Sequence, residues 1–158
     1  MTTTITTFLT YDTQAEEAAQ LYTSVFDGKI KDTMRYPAGG PKPEGSVGSV
    51  TFELLGQTYI ALNGGPSFTF SQGFSLMVQV DTQAELDRVW QKMTANGGKE
   101  VQCGWLVDKF GVSWQIVPKQ LLGMISDKDS ARSGRAFQAM MGMRKLDLAK
   151  LQAAFDGV

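Results

Sequence analysis

The chain contains no histidine. Without imidazole, the commonest general base and the commonest transition-metal ligand are both missing, so histidine-dependent triads, zinc sites and non-haem iron sites are excluded. Cysteine is almost absent as well. Cys103 is the only one, no internal disulfide can form, and a reducing, cytoplasmic setting is expected. No apolar run approaches the roughly 20 residues that cross a bilayer. The opening stretch, Met1-Thr2-Thr3-Thr4-Ile5, has neither the basic nor the apolar segment of a signal peptide. Neither sign of charge prevails: 15 basic and 16 acidic side chains leave a formal charge of −1. With no basic block, neither a nucleic-acid surface nor a membrane partner is expected.

What is present is a globular composition, 158 residues with 42% hydrophobic and 20% charged side chains. That is enough for one sizeable core or two small fused ones. The chain then repeats itself. Asp12-Thr13-Gln14-Ala15-Glu16 recurs as Asp81-Thr82-Gln83-Ala84-Glu85, and at the same offset Ile5, Leu9 and Tyr11 match Phe74, Val78 and Val80, while Gly28 matches Gly97. Each copy opens with period-2 alternation, which predicts a strand with one apolar face. In the first, Ile5, Leu9 and Tyr11 point one way and Thr6, Phe8 and Thr10 the other; in the second, Phe74, Leu76, Val78 and Val80 oppose Ser75, Met77 and Gln79.

A helix follows in both copies. Thr13-x-x-Glu16 and Thr82-x-x-Glu85 fit the capping box, with apolar stripes behind them at Ala15, Ala18, Ala19, Tyr22, Val25 and Phe26, and at Leu86, Val89, Trp90 and Met93. A hairpin closes each copy, with Gly56 and Gly111 in expected two-residue turns. A further strand fits near residues 30–36 and 99–103. The glycine- and proline-rich stretch 37–46 occurs only in the first copy. The expected organisation is α+β: a βαβββ module over 1–66, a second over 67–118, and a helical tail over 119–158. In the tail, residues 126–129 and Asp147 offer caps for two helices, one carrying Phe137, Met140 and Met141, the other Leu148, Leu151 and Phe155. The tail is either a packing lid or a dimer contact.

Three stretches carry a family resemblance: Ala15-Glu16-Glu17-Ala18-Ala19 with Tyr22 and Phe26; Ala61-Leu62-Asn63-Gly64-Gly65-Pro66 with Phe68 and Phe70; and the run from Gln102-Cys103-Gly104-Trp105-Leu106 to Ser113-Trp114-Gln115-Ile116-Val117-Pro118. In these the chain resembles the PhnB-like group of the vicinal oxygen chelate (glyoxalase/bleomycin-resistance) superfamily, over nearly its whole length including the Met-rich tail. Members of this group are often labelled 3-demethylubiquinone-9 3-methyltransferases. The resemblance implies two modules with curved mixed sheets around a cleft, and commonly a homodimer. It also implies metal-ligand positions at Thr6 or its neighbour, Ile60, Ser75 and Gln115. None of these is anionic, which argues against a bound metal and so against glyoxalase, dioxygenase or metal-dependent transferase chemistry. No cofactor is expected.

If Gln115 faces the cleft, alternation brings Ser113 with it and sends Trp114 and Ile116 toward the helices. Hairpin pairing is expected to set Asp108 opposite Ser113 and Glu53 opposite Thr58. The ligand-binding candidates are therefore Phe8, Ser75, Met77, Trp105, Ser113 and Gln115, with Trp105 readable as core or pocket. Glu53 and Asp108 are weak candidates for a general base. The leading expectation is a small-molecule binder without a metal. The alternatives are an enzyme using one of those carboxylates, and an interaction protein that docks a partner through the tail.

Overall fold

A computed structural model describes residues 3–158; Met1 and Thr2, part of the stretch read above for a targeting signal, lie outside it. The chain forms two compact units, one ending at Thr69 and the other running from Phe70 to Val158.

The first unit contains β1 (Thr7–Tyr11), α1 (Ala15–Val25), β2 (Lys29–Arg35), β3 (Val47–Leu54) and β4 (Gln57–Asn63). They build one mixed sheet in the order β1-β4-β3-β2, with β1 parallel to β4 and the other pairs antiparallel. β3 alternates strictly between half-buried and buried positions, as a strand covered on one face must. Its inward residues Val50, Phe52 and Leu54 meet the α1 stripe of Ala15, Ala18, Ala19, Tyr22 and Val25. The alanines have no bulk to hold helix and sheet apart. An aromatic cluster fills the rest: Phe52 stacks on Tyr59 at 5.5 Å between ring centroids and lies 6.1 Å from Tyr22. The Tyr22 hydroxyl in turn meets that of Tyr11 at 3.1 Å.

The second unit repeats the plan with β5 (Leu76–Val80), α2 (Gln83–Thr94), β6 (Lys99–Glu100), β7 (Trp105–Val107) and β8 (Ser113–Pro118) in the order β5-β8-β7-β6. β5 runs parallel to β8, as β1 does to β4. The duplication inferred from sequence is thus a duplication of topology. Phe8 opposite Ile60 in the first sheet corresponds to Met77 opposite Gln115 in the second.

Three local expectations need correction. The first strands begin at Thr7 and Leu76, not earlier; Ile5 is 99% and Phe74 51% exposed. The ladders with the closing strands start only at Thr7–Tyr59 and Leu76–Trp114. The expected threonine cap forms only in the second copy, with the glutamate's return bond displaced by one residue. There Thr82 accepts from the Glu85 amide at 3.2 Å and Glu85 reaches back to the Asp81 amide at 3.3 Å. In the first copy α1 is capped from outside, the Ala15 amide donating to Asn63 Oδ1 of β4 at 2.8 Å, and Glu16 pairs with Arg35 instead. Finally, β6 is only two residues long, because the chain turns at Cys103 and Gly104, both at positive φ.

The tail forms α3 (Lys119–Ile125), α4 (Ser130–Met141) and α5 (Leu148–Asp156) and belongs to the second unit. Leu121, Met124, Ala136, Leu146 and Leu151 are buried. The segment before α5 is stitched to β7 and α2: the Gly104 amide donates to Arg144 O, and the Gln83 side chain bonds both Leu146 O and the Leu148 amide. Gly104 is required here, since a Cβ would lie 2.8 Å from Leu146 Cδ1 and 3.0 Å from Ile116 O. Asp129 and Asp147 cap α4 and α5, as their positions predict. Phe137 and Met141, however, remain about half exposed. Among the described residues no helix is long and apolar enough to cross a membrane.

Candidate functional site

In the second unit, five of the six ligand-binding candidates share one region. Met77 pairs with Gln115, Gln115 with Trp105, and Ser113 with Val107, so Met77, Gln115, Trp105 and Ser113 lie on the sheet face opposite α2. Ser75 joins them through its hydroxyl, which accepts from Gln115 Nε2 at 2.8 Å. Met77 is 47% exposed and Trp105 and Gln115 are half-buried, leaving an accessible apolar surface around polar groups. Ser113 is buried, and its Oγ is the one buried side-chain oxygen or nitrogen among the described residues with no hydrogen-bond partner. Buried hydroxyls are nearly always paired, because leaving one unpaired costs about 1–3 kcal/mol. Phe8 sits in the other unit on the equivalent face of the first sheet and is 55% exposed.

The two carboxylates named as general bases have other work. Asp108 does not face Ser113; Val107 does. The carboxylate of Asp108 accepts from the amides of Phe110 (2.9 Å) and Val112 (3.0 Å), drawing residues 108–112 into a longer connection than the expected two-residue turn. A one-residue slip transfers a side chain to the opposite face of a sheet. Asp108 therefore points to the helix side, where its other oxygen accepts from the Trp114 indole at 2.9 Å. With three donors on a carboxylate only 3% exposed, it braces the hairpin. Glu53 is opposite Thr58 as expected, but it lies 3.4 Å from Lys31 Nζ and 3.9 Å from Lys29 Nζ in a partly exposed ion-pair cluster.

A metal is poorly served. The positions that the family resemblance assigns to ligands hold Thr6, Ile60, Ser75 and Gln115: two hydroxyls, one amide and a hydrocarbon. Ser75 and Gln115 bond each other, and no group of three or more Asp, Glu, Cys or His among the described residues is placed to hold an ion. Neutral oxygen donors without charge or soft ligands do not fit a first-row divalent ion.

Sequence reasoning missed a cavity of about 340 Å³ in the first unit, at the ends of β1 and β4 beneath the 37–46 loop. Its signal was that loop, which has no counterpart in the second module.

The profile of the 3-demethylubiquinone-9 3-methyltransferase family matches residues 3–117. The match stops before the three tail helices, so the likeness is confined to the paired modules, not extended through the tail as expected. A PhnB protein from Bacillus cereus, carrying a provisional label of the same methyltransferase, is 38% identical in sequence, with 73% of this chain and 99% of that one covered and a TM-score of 0.67. Protein PA1353 from Pseudomonas aeruginosa is 19% identical over 74% of this chain and 98% of its own, with a TM-score of 0.61. The fosfomycin resistance protein FosX from Mesorhizobium loti is 11% identical over 74% and 91%, with a TM-score of 0.53. At such identities the last two share the fold alone. No curated protein matches the sequence significantly.

Proposed function

Because this chain belongs to the PhnB-like, 3-demethylubiquinone-9 3-methyltransferase family of the vicinal oxygen chelate superfamily, we propose that it binds a small, partly polar organic molecule, without a metal, on the open face of its second sheet. The observation that carries this reading is the buried, unpartnered hydroxyl of Ser113. The same sheet face carries the amide oxygen of Gln115 and Trp105, whose indole N–H, like that oxygen, has no partner among the described residues, with Met77 and Val107 as apolar neighbours. A few fixed donors and acceptors on an apolar surface are what a small-molecule site needs.

Methyl transfer in the usual manner has no support here. S-adenosylmethionine is ordinarily held by a glycine-rich loop between strand and helix in a doubly wound parallel sheet. The strand-to-helix links Asp12-Thr13-Gln14 and Asp81-Thr82 lack glycine, β8 runs directly into α3, and both sheets are small and mixed. A cytoplasmic homodimer accords with the single free thiol and with the family's habit.

The test is a titration of isotope-labelled, chelator-treated protein with a panel of small aromatic and quinone metabolites, read by amide chemical shifts. Shifts gathering at Ser75, Met77, Trp105, Ser113 and Gln115 are expected, and Gln115→Leu should weaken the best binder about tenfold, the order of one hydrogen bond. Ser113→Ala should also weaken it while changing stability by less than about 1 kcal/mol, because no bond is lost in the free protein. Binding that requires an added metal, or that leaves this face undisturbed, would remove the reading.

A further inference from the structure

The two modules share one strand order, and their largest difference is at one connection. Between β2 and β3 the first carries residues 36–46, whereas the second joins β6 to β7 through a short turn. The loop is held by its own bonds: Tyr36 and Ser46 pair through a backbone bond of 2.9 Å, the Gly45 amide returns to Tyr36 O at 2.9 Å, and Ser46 Oγ donates to Pro43 O at 2.6 Å. It is also anchored to its surroundings. Arg35 bonds Gly45 O at 3.1 Å with one terminal nitrogen and Glu16 at the start of α1 at 3.0 Å with the other. Asn63 ties the start of α1 to β3 by accepting from the Ala15 amide and donating to Val47 O at 3.0 Å. A long, internally bonded connection of this kind usually serves a function.

What it encloses is the cavity of about 340 Å³, within the size range of small-ligand sites. The wall is apolar at Val47, Pro43, Pro66 and Tyr36; Gly48 leaves room for Met34, whose Cε a Cβ there would strike, and secondarily for the Tyr36 ring at 3.2 Å. Of the charged groups lining it, Glu16 is neutralised by Arg35. Asp12 and Lys42 are different: neither has an ion pair or side-chain hydrogen bond among the described residues. One free carboxylate and one free ammonium therefore border an apolar hollow at the ends of two parallel strands, a usual place for ligands in mixed and parallel sheets.

We propose that this cavity is a second ligand site, separate from the face carrying Ser113 and Gln115, and that it takes a compact zwitterion of the amino-acid type. The ligand's ammonium meets Asp12, its carboxylate meets Lys42, and its apolar body lies against Tyr36, Pro43 and Pro66.

The test uses the full, isotope-labelled chain with L-phenylalanine as probe, and with phenylacetate and phenethylamine, each of which lacks one of the two charges. Saturable shifts are expected at Thr13, Tyr36, Ser46 and Asn63, strongest with L-phenylalanine. Asp12→Asn should weaken L-phenylalanine and phenethylamine about three- to fivefold and spare phenylacetate, the size expected of an exposed ion pair. Lys42→Met should weaken L-phenylalanine and phenylacetate and spare phenethylamine. Both residues are on the surface, so amide spectra will show that the variants remain folded. The proposal falls if the lining residues do not shift up to the solubility limit, or if neither substitution alters the affinities. Shifts confined to Ser113–Pro118 would place the probe on the other face and overturn it too, without touching the reading given under Proposed function.

Discussion

At Asp108 one side chain decides what a whole hairpin does. Its oxygens hold two amides of its own connection and the indole of Trp114, all in a buried setting. Alanine there would leave three donors unpaired, each worth about 1–3 kcal/mol, so Asp108→Ala should lower unfolding stability in urea by about 3 kcal/mol or more. A loss below about 1 kcal/mol would mean that these bonds do not form in solution. The sequence presents Asp108 and Glu53 as similar hairpin carboxylates, and nothing local separates them. The difference lies in a tryptophan six residues on that happens to point the same way, and in two lysines across the strand from Glu53. Ser113 shows the reverse case. Alternation alone puts it on the Gln115 face, but only packing makes its hydroxyl buried and unpartnered.

Among the elements, the β3–β4 turn bends through Leu55 and Gly56, both at positive φ (49° and 85°), as a type I′ turn demands. Gly56 suits that conformation; Leu55 does not, and its side chain is 74% exposed. Leu55→Asn should therefore raise stability by about 0.5–1 kcal/mol, seen as a thermal midpoint higher by a few degrees. A midpoint that falls would show the leucine contributing a contact. A second element-level case is the joint between α2 and the tail. A hydrogen bond from Lys145, 2.7 Å away, and a weaker effect of Gln83 hold the Asp87 carboxyl below its ordinary value of 3.8. A depressed folded-state pKa adds stability above the ordinary value and loses it as pH falls through the lowered one. Lys145→Met should thus cost no more than about 1 kcal/mol at neutral pH, as the pair is exposed, and the gap from the parent protein should close in strong acid. Chemical denaturation at the two pH extremes checks this; a gap unchanged in acid would assign the effect to packing. Thr82, Asp129 and Asp147 could be read as caps because capping is local, whereas Asn63 capping α1 from β4 is a contact 48 residues apart in sequence.

For the molecule as a whole, the two sheets repeat one strand order while the copies diverge in the side chains they present. Equivalent positions hold Phe8 and Ile60 in one sheet and Met77 and Gln115 in the other. None of the four offers a charged or imidazole ligand. Exhaustive dialysis against a chelator should accordingly leave the thermal midpoint and ligand binding unchanged, and adding zinc or manganese should not raise either. Recovery of lost binding on adding metal would contradict the donor chemistry described above. The tail belongs to this scale as well. It lies outside the family match, yet Leu121, Leu146 and Leu151 are wholly or almost wholly buried within the second unit.

The repeated pentapeptide, the period-2 and helical stripes and the local caps were enough to derive two βαβββ modules with a helical tail. Such signals work because backbone preference and side-chain periodicity act between near neighbours. Tertiary structure alone decided the rest: the face of Asp108, the external cap on α1, the burial of Ala136 and Leu146 while Phe137 and Met141 stay half exposed, and the cavity under the 37–46 loop. Each depends on which distant group arrives to complete a hydrogen bond or cover a surface. A carboxylate's choice between solvent, a turn amide and an indole is settled only once the chain has brought them together.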